Sequence, residues 1–187
     1  MKKLFTVLAV SSSLIFAQSG WGVYGGLISN SFEVEDKSFS YESDASFNIG
    51  ISKQLTDRVT IGTGLHHRGG YVNDASGDNI KVDGHVFELW STWSLFSTDN
   101  GANVWFGPSI AFKADLDAKH NGGMWGDFKM EDTDLSVLLG FTVPMGEKNA
   151  VHLVFQESVT GVELSRAGQD WESVMFSQVY LNFSRAL

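Results

Sequence analysis

Six ionisable residues, His66, Arg68, Glu88, Lys113, Asp134 and His152, share one property in this 187-residue chain: each lies on the polar side of a stretch in which apolar and polar residues alternate. Histidine, carboxylate and cationic side chains on a shared face are the raw material of a proton relay, an ion path or a hydrolytic site. The spacing along each stretch does not assemble such a site. Same-face neighbours on a strand are two residues apart, and none of His66, His67, His85, His120 and His152 is followed two positions later by serine. His152 and Ser158 share a face but are separated by about 20 Å at roughly 3.3 Å per residue, so they form no nucleophile–base pair within one strand. A dyad between strands stays open. His66 and His67 are adjacent, point to opposite faces and cannot chelate one metal ion together. No catalytic residue, metal ligand or cofactor site is therefore assigned, and the chain is expected not to be an enzyme. What remains for the six residues is pairing, because an unpaired charge in an enclosed space costs several kcal/mol.

The elements that would enclose them follow from period two. From Ala45, residues Phe47, Ile49, Ile51 and Leu55 alternate with Ser46, Asn48, Gly50, Ser52 and Gln54. Thr56-Asp57 reverses the chain, and Val59, Ile61 and Leu65 then alternate with Thr60, Gly62, Gly64, His66 and Arg68, up to Tyr71. Two antiparallel strands with one apolar face are the consequence. The same pattern recurs at Trp21–Ile28, His85–Phe96, Ala102 to about Asp115, Thr133–Met145, Ala150 to about Val162, and around Gln178–Ser184. Pro108 interrupts one of these, and since proline donates no ladder hydrogen bond, a bulge or a missing bond is expected there. Eight strands result, joined by connections that alternate long and short. The long ones are residues 29–44, 72–84, 116–132 and 163–172.

Short turns at one end and long loops at the other are the asymmetry of a transmembrane barrel. Strands of about 9 to 11 residues cross a bilayer at a tilt, and an even number lets the sheet close without an edge. The predicted fold is all-β, an eight-stranded antiparallel up-and-down transmembrane β-barrel over residues 18–187. Its lipid-facing positions are Ile49 and Ile51 on the second strand, Ile61 on the third, Leu89 and Trp93 on the fourth, and Phe106 and Ile110 on the fifth. Leu139 and Phe141, Leu153 and Phe155, and Leu181 and Phe183 continue the band on the last three. An interior of eight strands is just wide enough for side chains to fill, so the six ionisable residues form a structural polar network and no open pore is expected.

The ends and the composition agree with this. Residues 1–17 read as a secretory signal, with Lys2 and Lys3 before an apolar run from Leu4 to Phe16 and cleavage near Ala17 or Ser19. Without Lys2 and Lys3, 11 basic residues face 22 acidic ones, a net charge of −11. Nucleic acid needs a basic footprint and is not an expected partner. Zero cysteine leaves an exported chain without disulfides. The acidic first loop, with Glu33, Glu35, Asp36, Glu42 and Asp44, reads as solvated rather than as a calcium site, which needs oxygens converging at defined positions. Trp125 and Trp171 fall in loops, where exposed tryptophan suits a partner contact.

The chain resembles the small porin family, the outer-membrane protein β-barrel domain, which shares its architecture with the membrane domain of outer-membrane protein A. The resemblance rests on Gly50-Ile51 leading through Gln54-Leu55-Thr56-Asp57-Arg58-Val59, on Glu88, and on Gly107-Pro108. It implies a Gram-negative cell-envelope protein of structural or surface-interaction type. The expected partners are outer-membrane lipid and lipopolysaccharide, with the four long loops open to a surface partner and the protein a monomer. Two alternatives compete: a lipid A-modifying outer-membrane enzyme, and a soluble exported barrel with its apolar faces turned inward around an apolar ligand.

Overall fold

The computed structural model describes residues 20–34, 40–73, 79–120, 129–130, 133–160, 162–166 and 169–187. The expected secretory signal lies outside them. Twelve strands appear in order: β1 (Trp21–Val34), β2 (Ser40–Ser43), β3 (Ala45–Gln54), β4 (Val59–Asn73), β5 (Asn79–Ser97), β6 (Asn103–Lys113), β7 (Asp117–His120), β8 (Lys129–Met130), β9 (Thr133–Pro144), β10 (Asn149–Ser158), β11 (Val162–Arg166) and β12 (Gln169–Ala186). Eight of them form a closed antiparallel ring, β1-β3-β4-β5-β6-β9-β10-β12, sealed by thirteen paired positions between β1 and β12 from Gly22↔Ala186 to Val34↔Val174. The remaining four extend the wall at the loop end, β2 on β4, β7 on β5, β11 on β12 and β8 on β11. The ring is thus the eight-stranded up-and-down barrel that the alternation requires.

The strands are tilted. A ladder row followed from Val86 through His66, Asn48, Gly26, Asn182, His152, Thr142 and Asn103 returns to β5 at Ser97, eleven positions from where it began. Such stagger is what closing a sheet demands. It also brings side chains far apart in sequence to the same height inside.

The loops are shorter than hydropathy suggests. Residues 29–34 and 40–43 of the first expected loop, 79–84 of the second, 117–120 and 129–130 of the third, and most of the fourth are strand. The reason is that alternation marks a strand only where one face meets an apolar medium. Beyond that band the apolar residues, Phe32 and Val34 and then Ile80 and Val82, fall on even positions instead of odd ones, so the pattern that marks the band breaks while the backbone ladder continues wherever a neighbour is there to pair. Trp171 accordingly falls in β12, and Glu33 and Glu42 in β1 and β2. Trp125, Glu35 and Asp36 lie outside the described residues.

At Pro108 the expected disturbance takes the second of its two forms. Pairing of β5 with β6 passes from Trp90↔Ser109 to Trp93↔Phe106 and omits Gly107 and Pro108, with no change of register; the bulge lies further on, between Ser94 and Phe96. The Ser91 carbonyl comes so near that a Cβ on Gly107 would sit 1.8 Å from its oxygen. Because that obstacle is backbone, Gly107→Ala is expected to destabilise the barrel by about 1–3 kcal/mol, as overpacking does. The check is the denaturant midpoint of the refolded variant.

Large and small residues interlock within the wall. Trp90 pairs across the ladder with Gly62, and Trp105 with Gly140. In each case the indole lies flat over the glycine, where an added Cβ would be 2.1–2.2 Å from the ring. Both tryptophans pack inward against a cluster of Ile28, Leu138, Val154 and Tyr180.

Candidate functional site

The interior is built from the even positions of β1, β3, β4, β5, β9, β10 and β12 and the odd positions of β6. The structure places all six expected residues on that parity and brings four of them together as two pairs. The guanidinium of Arg68 donates from Nη1 to Asp134 Oδ2 at 2.9 Å, with both side chains at most 2% exposed. His66 Nδ1 stands 2.7 Å from Glu88 Oε2. His152 lies apart, toward the turn end, and Lys113 is half-buried at the loop-side end of β6, opposite Val86 in the ladder.

Around the two pairs runs a network of uncharged groups. Asp134 also accepts from Ser158, and the Arg68 guanidinium lies over the Phe176 ring, 4.6 Å from its centroid. Glu88 Oε1 accepts from Gln156 Nε2 at 2.8 Å. The Tyr180 hydroxyl is within hydrogen-bond distance of both Gln156 Oε1 and Gln178 Oε1. Gln178 donates to Asn30 Oδ1, and Asn30 Nδ2 donates to Ser46 Oγ at 2.6 Å. Attention to ionisable residues alone misses Asn30, Gln156, Gln178 and Tyr180. Gln156, Gln178 and Tyr180 carry their signal in the sequence, on the polar parity of their strands, whereas Asn30 lies beyond the first strand that alternation marks.

This network lies toward the loop side of the barrel interior, and His66, Glu88, Gln156 and Tyr180 border the space below it. Toward the turns there is a cavity of about 310 Å³. It exists because many inward positions on this side are serine or threonine, among them Ser52, Thr60, Thr92, Thr142 and Ser184. Its lining reaches Gln54, Asp57 and Arg58 at the turn end, all exposed.

Two histidines touch serine across strands, the arrangement that spacing along a strand leaves open. His152 Nε2 is 2.6 Å from Ser184 Oγ, and its Nδ1 faces Thr142 Oγ1 at 2.8 Å. A hydroxyl in that third place carries no charge to stabilise an imidazolium, unlike the carboxylate of a hydrolytic triad. His67 has the carboxylate, with Nε2 3.0 Å from Asp83 Oδ1 and Nδ1 3.0 Å from Ser46 Oγ. There the serine is the obstacle: Ser46 is 2% exposed, and its oxygen already accepts from Asn30. Among the described residues no three histidine or carboxylate side chains converge as a metal site.

Outside, the expected apolar set stands exposed on seven of the eight barrel strands, and Val23 and Leu27 do the same on β1. Ile49, Ile51, Ile61, Leu89, Trp93, Phe106, Leu139, Phe141, Leu153, Phe155, Leu181 and Phe183 are each at least 39% accessible. Ile110 is intermediate. At the loop-side rim Phe47 stacks on His67, whose ring centroid is 5.2 Å from that of His85. Asp115, beyond the end of β6, holds His85 Nδ1 at 2.9 Å, and that hydrogen bond keeps its carboxyl below the usual range. A depressed carboxylate contributes stability that is present above its unfolded value and lost as pH falls through its folded one. The 113–116 bend, where Ala114 and Asp115 donate to the His85 carbonyl, is expected to loosen below about pH 4. Amide exchange of Ala114 measured against pH checks this, with Asp115→Asn abolishing the change.

No protein-family model matches the chain, and no curated protein matches it in sequence. Solved structures do match. Neisserial surface protein A superposes with a TM-score of 0.62 at 12% identity, covering 90% of this chain and 98% of that one. The outer membrane protein OprG of Pseudomonas aeruginosa gives 0.56 at 13% identity over 89% and 95%. Ail, the attachment invasion locus protein of Yersinia pestis, gives 0.52 at 9% identity over 90% and 99%. The fold is that of the small outer-membrane β-barrels. Coverage of 95–99% of each neighbour extends the likeness over nearly the whole of those barrels. At these identities the likeness shows the fold alone.

Proposed function

We propose that the protein is an integral barrel of the Gram-negative outer membrane, of structural or surface-interaction type, without enzymatic activity and without a through-pore. One observation carries this reading: the exposed side of every barrel strand is apolar, while the enclosed side holds the charges. A soluble barrel around an apolar ligand needs the reverse. Exposed apolar surface on this scale is otherwise a liability to be covered, and lipid covers it. The short turns then face the periplasm and the longer loops the outside, where they meet lipopolysaccharide and any surface partner. The interior argues against conduction, because ions would have to pass the Arg68–Asp134 and His66–Glu88 pairs and their amide partners, all buried at the same end.

The test is mobility on a gel of the protein extracted from a membrane fraction, with and without boiling in detergent. A compact band that shifts only on heating is expected. Recovery in the soluble periplasmic extract with no shift would overturn the reading. Channel recordings in planar bilayers check the second part, and discrete conductance steps would sink it.

A further inference from the structure

The cavity on the turn side is more than slack packing, because unsatisfied polar groups converge on it. One ladder row presents His66, Asn48, Gly26, Asn182 and His152 on the consecutive strands β4, β3, β1, β12 and β10. Asn48 is 3% exposed, yet neither its Oδ1 nor its Nδ2 has a protein partner; the same is true of Asn182 Oδ1 and of His66 Nε2. All three residues line the cavity. Gly26 between the two asparagines is the position that lets them in, since a Cβ there would lie 2.3 Å from Asn182 Oδ1. Buried carboxamides without partners cost free energy. A ligand, or water alone, would recover it.

We propose that this cavity is a binding pocket for a neutral sugar ring, entered from the turn side. Its charge points to neutrality. The one deep carboxylate, Glu88, is already engaged through both oxygens by His66 and Gln156, and the mouth carries one charge of each sign, Asp57 and Arg58. A buried ligand charge would find no free counter-charge. The orphan atoms include both donors and acceptors, which suits hydroxyl groups that act as either. Trp90, Trp105 and Tyr24 supply the flat apolar walls against which ring C–H groups pack. The volume matches as well: about 310 Å³ holds roughly ten waters at about 30 Å³ each, the space of a single pyranose.

Isothermal titration of the folded protein tests this, in dodecylphosphocholine so that no sugar headgroup competes. The probes are D-glucose, D-galactose and N-acetyl-D-glucosamine, with glycine as a zwitterionic control. At least one sugar is expected to bind in a one-to-one ratio, with glycine inert, and Asn48→Leu is expected to weaken it about tenfold or more, the effect of roughly one lost hydrogen-bonding group. Asn182→Leu is the second variant, and each counts only if its band still shifts on heating. Failure of all three sugars to bind, glycine binding as well as they do, or wild-type affinity in a folded variant would each overturn the proposal.

Discussion

Replacing Arg68 by methionine is expected to cost about 3–5 kcal/mol, the penalty for removing one partner of a buried ion pair and leaving the other charge uncompensated. Asp134 would keep only hydroxyl partners, Ser158 and the more distant Ser136. Methionine can still lie against Phe176, so the loss is one of charge more than of volume. The double variant Arg68→Met/Asp134→Leu should recover most of the stability, because apolar replacement of a whole buried pair is often neutral. Urea titration of the refolded variants in lipid vesicles reads both numbers. A double variant as unstable as the single one would show that the pair matters through its geometry rather than through charge balance.

The partnership of Arg68 with Asp134 also marks where the sequence stops being informative. Each residue announces its own side of the wall, because a period of two assigns every position on a strand to one face or the other. Which interior charge meets which depends on the stagger accumulated around the ring. Arg68 on β4 and Asp134 on β9 are 66 residues apart, and Glu88 on β5 reaches Gln156 on β10 over 68. No local pattern encodes those distances. The Trp90–Gly62 and Trp105–Gly140 interlocks are hidden for the same reason, since they follow from cross-strand register. Strand ends were illegible for a different cause. Residues 29–34 and 79–84 project beyond the apolar band, where hydrogen bonding to a neighbour maintains the strand while the apolar residues change parity, with Phe32, Val34, Ile80 and Val82 on even positions. The turn-side cavity is not legible because strand number sets the ring's width but not the size of the residues lining it, and here serine and threonine leave space that bulkier side chains would fill.

The outward band yields the other large effect. Leu139 lies mid-strand on β9, 43% exposed, opposite Phe106 on one side and Phe155 on the other. Arginine there would face hydrocarbon at close to the midplane, where a charged side chain on a transmembrane barrel costs about 2–4 kcal/mol. Ser136, three positions toward the loops and on the opposite parity, points inward; its contact with Asp134 Oδ2 is long at 3.5 Å. Ser136→Ala should therefore cost less than about 1 kcal/mol. Three residues separate the two positions, so any general weakening of β9 would strike both alike. Only the medium on either side of the wall differs. The contrast is read by the same vesicle titration, repeated in bilayers of different thickness, because the arginine penalty falls as the side chain comes nearer to an interface. Equal losses for the two variants, or an arginine penalty indifferent to thickness, would mean that the apolar face does not meet lipid and that some other cover has to be found for it.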